Sequence, residues 1–216
     1  MRIYLTLFLA FTLVGCASMT KEECLSANWN EIGNRDGGNG RSMSSFDGYV
    51  KDCAKINVVP DRSAYIRGRD VGLSRYCTLN KGYGFGLTGN DYFGICANHN
   101  ETAFLRGRKL GLEIFALEKA HEDALAKVKS LDKEITDAEN EIKTLNAEIN
   151  DKNLSSRQVD QKINLIAINK RSLSALKNTR YDLIEKSDRQ LRRFNAKKES
   201  HMELGYCEHD SCFTRK

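Results

Sequence analysis

Two short stretches carry the residue types most suited to chemistry, and they match. Arg67-Gly68-Arg69 followed by Gly72-Leu73 returns 39 residues later as Arg106-Gly107-Arg108 followed by Gly111-Leu112. An aromatic residue, Tyr65 or Phe104, opens each copy. Guanidinium forks suit carboxylate and phosphate groups, so Arg67, Arg69, Arg106 and Arg108 form a candidate anion-binding set. The alternative is solvated helix faces, or ion pairs with Asp70 or Glu101, of little energetic weight.

Other constellations are weaker. Gly84-Phe85-Gly86 with Gly89 matches G-x-G-x-x-G, but no strand–helix unit frames it, so glycine turns displaying aromatic rings are the better reading. Cys207-x-His209-x-x-Cys212 supplies half a zinc site and lacks two further ligands. Asn34-x-Asp36 beside glycines lacks the spacing and closing Glu of a calcium loop. His121 reads as a polar residue in a helical seam and His99 as part of a polar link. No nucleophile–base–orienter set and no H-E-x-x-H occurs in the chain. The expectation is therefore no enzyme, no metal and no cofactor. A net charge of +5 over 216 residues is modest, so nucleic acid is not expected as a partner.

The elements that position these residues follow from composition. Fourteen of the sixteen glycines lie between Gly33 and Gly111, with the only Pro, and the only Trp, Trp29, lies just before them. From Glu113 to Leu204 there is no Gly, Pro or Cys. A turn-rich unit over 24–112 thus precedes a helical region over 113–200, with a tail over 201–216. Within the first unit, Thr20 with Glu23 forms a capping box, predicting a short helix. Residues 33–48 read as loop, because Asp36-Gly37-Gly38-Asn39-Gly40 are strong breakers. Asp47 to Ile56 reads as a second short helix, and Pro60-Asp61 starts the element carrying the first motif. Glycines four apart share one helix face. The expectation is that Gly68 and Gly72 pack against Gly107 and Gly111, close backbone approach offsetting about 1 kcal/mol per interior glycine. The rival reading makes both motifs loops.

The N-terminus begins Met1-Arg2 and continues with a nearly unbroken apolar run to Val14, then Gly15-Cys16. This looks like a bacterial lipobox, with residues 1–15 a signal peptide and Cys16 the lipid-bearing residue. Residues 16–23 then form a lipid-anchored linker. Ala17-Ser18 in place of Asp after that cysteine favours the outer membrane. Six cysteines remain: Cys24, Cys53, Cys77, Cys96, Cys207 and Cys212. An even set in an oxidising compartment reads as disulfides, with fifteen pairings open. The repeat, in which Cys24 and Cys77 each precede a glycine-rich run and Cys53 and Cys96 each follow one, suggests Cys24–Cys53, Cys77–Cys96 and a terminal Cys207–Cys212 pair.

From Leu110 the apolar residues fall into heptads: Ile114, His121, Val128, Ile135, Ile142 and Ile149 at a, with Leu110, Leu117, Ala124, Leu131, Ala138 and Leu145 at d. The pattern fails at Lys152. Residues 151–155 read as a turn, and Ser155 with Gln158 caps a second helix. Its apolar residues include Val159, Ile163, Ile166, Leu173, Leu176, Leu191 and Phe194, in a looser register. Residues 113–151 hold five basic against eleven acidic side chains, and 157–198 hold twelve against four. Opposite charge and matched length predict an antiparallel hairpin. The alternative is pairing between subunits, so an oligomer through the coiled coil stays open.

The chain around Trp29, Gly33, Asp36-Gly37, Gly40, Cys53 and Pro60-Asp61 follows a pattern. So does the run Tyr65-x-x-Gly68-Arg69-x-x-Gly72-Leu73 to Tyr76-Cys77, and then Asn80 through Cys96 with its spaced Gly and Tyr. Together with the lipobox, these residues resemble the bacterial lipoproteins of the domain-of-unknown-function 2799 family, over about residues 13–115. The resemblance implies a Gram-negative envelope lipoprotein and implies no mechanism. Phe104 in place of Tyr departs mildly from the first copy.

The fold expected is mainly α: a small disulfide-stapled glycine-rich helical domain with two internal repeats, then a long antiparallel coiled-coil hairpin. The function expected is structural or protein-interaction, at the periplasmic face of the outer membrane. The membrane is contacted through the lipid on Cys16, and an envelope protein through the hairpin. A second expectation is a glycan or anionic-polymer binding module using Tyr83, Phe85, Tyr92 and Phe93 with the arginines.

Overall fold

A computed structural model of the chain describes residues 19–207. Among these there are seven helices and no strand. They form two compact units. One holds the described residues through Thr78 together with Phe93–Glu101; the other holds Leu79–Tyr92 and the described residues from Thr102 onward.

In the first unit, α1 (Lys21–Ser26) starts at the capping box of Thr20 and Glu23. The region from Gly33, expected as loop, is instead helical: α2 spans Trp29–Gly38, capped by the Asn28 side chain. The reason lies across the interface. Gly33 and Gly37 face Tyr65 and Arg69 of α4 (Arg62–Tyr76) so closely that a Cβ at either would strike main-chain atoms. Gly68 and Gly72 face the Asn30 and Asn34 carbonyls of α2 in the same way. Reciprocal backbone contact along two turns outweighs the poor helix propensity of glycine. The chain then turns at Gly40, whose φ of +67° suits glycine. Helix α3 (Ser44–Ala54) closes over an aromatic core of Trp29, Phe46, Tyr49 and Tyr65. Asp61 caps α4 through the Ala64 N–H. Disulfides Cys24–Cys53 and Cys77–Cys96 lie within this unit, the second tying the 93–99 segment to the end of α4.

The second unit repeats the device. Residues 79–87, expected as glycine turns, form helix α5 (Leu79–Leu87). Its Gly82 and Gly86 meet the Phe104 and Arg108 carbonyls of α6 (Glu101–Glu148). Gly107 and Gly111 of α6 meet Leu79, Tyr83 and Leu87 of α5. The expectation that the two motifs face each other is therefore corrected. Each motif packs on the short glycine-bearing helix of its own repeat, a partner hidden in sequence by the breaker-like look of Gly37-Gly38 and Gly84-Phe85-Gly86.

Helix α6 runs unbroken across residue 112, from the glycine crossing into the arm. Helix α7 (Ser156–Glu203) returns after a turn at 149–155, with Ser155 and Gln158 forming the capping box. Each helix has 48 residues, about 72 Å at ~1.5 Å per residue. Cross-helix pairs Lys162–Glu148, Lys177–Glu139, Arg180–Asp132 and Lys197–Glu113 run in opposite chain directions, so the hairpin is antiparallel within one chain. Every a and d residue named on α6 is buried or partly buried.

The seam of α7 differs from the expected apolar set. Its inward positions include Lys162, Asn169, Arg180, Ser187, Gln190 and Lys197 beside Val159, Ile166, Leu173, Leu176 and Phe194. Ile163 and Leu191 are instead exposed, at 49% and 37%. The long basic side chains cover the α6 stripe with their methylenes and carry their charge to α6 carboxylates. At its end α7 meets α5: His201 contacts the Tyr83 hydroxyl through Nδ1 at 3.1 Å, beside Tyr206 and the buried, disulfide-bonded Cys207.

Candidate functional site

The repeated arginines divide by position. Arg69 donates from Nη2 to the Arg41 carbonyl at 2.9 Å, and Arg108 donates from Nη2 to the Asn90 carbonyl at 2.8 Å. Both acceptors directly follow a glycine with positive φ, Gly40 or Gly89, and each glycine lies under an aromatic ring, Tyr76 or Phe115. These two guanidiniums thus hold a turn in each repeat. Arg67 and Arg106 are exposed. Within the candidate anion set, Arg67 and Arg106 present charge to solvent, while Arg69 and Arg108 serve the fold.

Beneath α4 lies a polar cluster that sequence reasoning missed. Asp36 is fully buried. Its Oδ2 accepts hydrogen bonds from the Tyr49 and Tyr65 hydroxyls, each at 2.9 Å. Arg41 lies 3.6 Å from Oδ1 and donates to the Tyr49 hydroxyl at 3.4 Å. Burial, reinforced by the Asp36 carboxylate, pushes both phenols above their ordinary pKa. The signal was a run of breakers in which Asp36 looked like a turn residue.

Above α4 a groove of about 280 Å³ opens, with Ile66, Arg69, Asp70 and Leu73 on one side and Ile95 and His99 on the other. His99 Nε2 lies 3.2 Å from Asp70 Oδ1. The Cys77–Cys96 bridge and the His99 N–H to Cys96 carbonyl bond hold this wall in place. An acid beside an imidazole can orient it, but no Ser, Thr or Cys lines the groove to act as nucleophile.

The two repeats are chemically unequal at one layer. Phe85 and Phe104 stand where the first repeat has Asp36 and Tyr65, and Tyr92 stands where it has Tyr49. There the rings pack as an aromatic cluster, Phe85 on Phe104 at 5.7 Å and Tyr92 on Phe104 at 5.4 Å. Carboxylate and hydroxyl change together, as a hydrogen-bonded pair requires. Tyr83 is buried, with its phenol pushed up to about 12 by desolvation. Of the four rings expected to be displayed, only Phe93 is largely exposed, at 91%.

The remaining sites fall as follows. Cys24, Cys53, Cys77 and Cys96 are buried in the two bridges. Cys16, His209 and Cys212 lie outside the described residues, so the lipidation site and the terminal cysteine pair have no structural account. His121 accepts or donates at the Ser187 hydroxyl, 2.8 Å away, as a polar pair between α6 and α7. No described helix is long and apolar enough to cross a membrane.

A glycine-crossed pair of helical repeats, the second continuing into a charged arm, defines a small all-α module. Residues 28–113 match the model of a family described as a protein of unknown function, DUF2799, so this stretch of the chain is similar to that family. Neither the curated proteins nor the solved structures contain a match to it.

Proposed function

We propose that this chain is a lipid-anchored protein of a Gram-negative envelope, attached through Cys16 at the periplasmic face of the outer membrane. Its arm is an element for engaging other proteins. The observation that carries the reading is the arm itself. Helices α6 and α7 saturate each other's seam, yet leave Ile163, Leu165 and Ile168 about half exposed close to the turn. Exposed apolar side chains grouped in this way mark a surface for a partner. The disulfides in the first unit agree with an oxidising compartment, and the apolar leader ending at Cys16 agrees with lipid attachment. Photo-crosslinking in cells from positions 140–165 tests it. Capture of a defined protein band supports the reading, and no adduct from any position in that range overturns it.

A second reading, binding of an envelope glycan or anionic polymer, is favoured by the Arg69–Asp70–His99 groove. Because Arg69 and Arg108 brace turns, its test rests on Arg67, Arg106 and His99. Retention on purified peptidoglycan or lipopolysaccharide falls in the Arg67→Ala/Arg106→Ala/His99→Ala variant if the reading holds, and is unchanged if it does not.

A further inference from the structure

The outer face of α7 near the turn has an order that the intrachain seam does not use. Asp160, Ile163, Asn164, Ala167, Ile168 and Arg171 are all exposed. Their spacing of 3, 1, 3, 1 and 3 puts them on one face across three turns. Residues 163–169 form the longest stretch without charge in the arm. Among the described residues, neither Asp160 nor Arg171 forms an ion pair, although four ion pairs cross between α6 and α7.

The face is self-complementary. Laid antiparallel against a copy of itself about the midpoint between Leu165 and Ile166, it sets Asp160 opposite Arg171. It also sets Ile163 opposite Ile168 and Asn164 opposite Ala167, each pair occurring twice. Isologous contacts require this reciprocity. Ala167, placed mid-face, allows the two helices to approach, and the isoleucines flank the line of contact on either side. A partner of unrelated sequence has no reason to require acid and base at mirrored positions. We propose that α7 pairs with α7 of a second copy of this chain through this face, in a two-fold, antiparallel contact. It rests on the arm being an interaction element and names a second copy as its occupant. Three helical turns make a small interface, so the association is weak and concentration-dependent.

Sedimentation equilibrium of the full chain in density-matched detergent, over a concentration series, tests this. The wild type is expected to show a monomer–dimer equilibrium. Ile168→Glu is expected to weaken it by about tenfold or more, since it sets an unpaired charge against Ile163 of the other copy. Asp160→Arg and Arg171→Asp each weaken it, and the double exchange restores it, because the pairs reform with reversed sign. Leu125→Glu, on the exposed side of α6, leaves it unchanged. Circular dichroism checks that each variant keeps its helices. A chain that stays monomeric overturns the proposal, as does a dimer indifferent to Ile168→Glu or not restored by the double exchange. Crosslinking to a different protein from 140–165, with the chain itself monomeric, sinks the self-pairing while leaving the interaction reading intact.

Discussion

At the scale of single residues, Asp36 is the most consequential side chain in the first unit. It is buried, and its Oδ2 accepts a hydrogen bond from each of two phenols, Tyr49 and Tyr65. Asp36→Ala leaves both hydroxyls without that acceptor and is expected to cost about 2–5 kcal/mol in chemical denaturation. Tyr65→Phe is expected to cost about 1–3 kcal/mol. The double variant should cost clearly less than the sum, because the partners act as a pair. Additive losses would show that the bond contributes little. His201 gives a second expectation. Burial, then the nearby Lys197 charge, lowers its pKa from 6.5, while Glu113 pulls the other way. The unfolded chain therefore binds a proton first as pH falls. The contribution of His201 is full above about 6.5 and declines below it, towards the lower folded value. Thermal melts between pH 7 and 5 should fall for the wild type and flatten for His201→Phe.

At the scale of elements, glycine has two opposite roles within one helix. Gly82 and Gly86 in α5 abut the backbone of α6, whereas Gly84 has open space around its missing Cβ. Gly84→Ala should raise stability by about 0.5–1 kcal/mol. Gly82→Ala, like Gly68→Ala in α4, should lower it by at least about 1–3 kcal/mol, since a main-chain carbonyl must move. If both kinds of change shifted the melting temperature alike, close helix crossing would not explain these glycines. This contrast also shows what could be read beforehand. Heptads on α6, both capping boxes and the α6–α7 turn were legible because spacing and cap chemistry are local. Helices α2 and α5 were not, because only a partner distant in sequence makes a glycine-rich helix stable. The polar inner stripe of α7 was hidden for a similar reason: Lys162, Arg180 and Lys197 reveal their inward place only once the acidic helix beside them is known. Asp36 escaped notice because its phenol partners lie 13 and 29 residues away.

At the scale of the whole molecule, the cysteines and the arm set behaviour. Each bridge closes a loop, of 29 and 19 residues, and each should contribute about 2–4 kcal/mol by restricting the unfolded chain. Reductant should lower the melting temperature of the wild type. A Cys77→Ser/Cys96→Ser variant should lose part of that response and release the segment bearing His99, detectable as faster amide exchange over 93–99. Helix α6 has one further consequence. It engages α5 through Gly107 and Gly111 and α7 through Ile114 onward, with no break between. A helix turns about 100° per residue, so these two contacts are locked in angular phase. A single-residue insertion after Leu112 would swing the arm's apolar stripe away from α7 while α5 stayed seated. Seven residues added there, matched by seven in α7, would preserve both. The length of this arm is therefore free to change only in whole heptads, a quantised ruler whose zero mark is a pair of glycines.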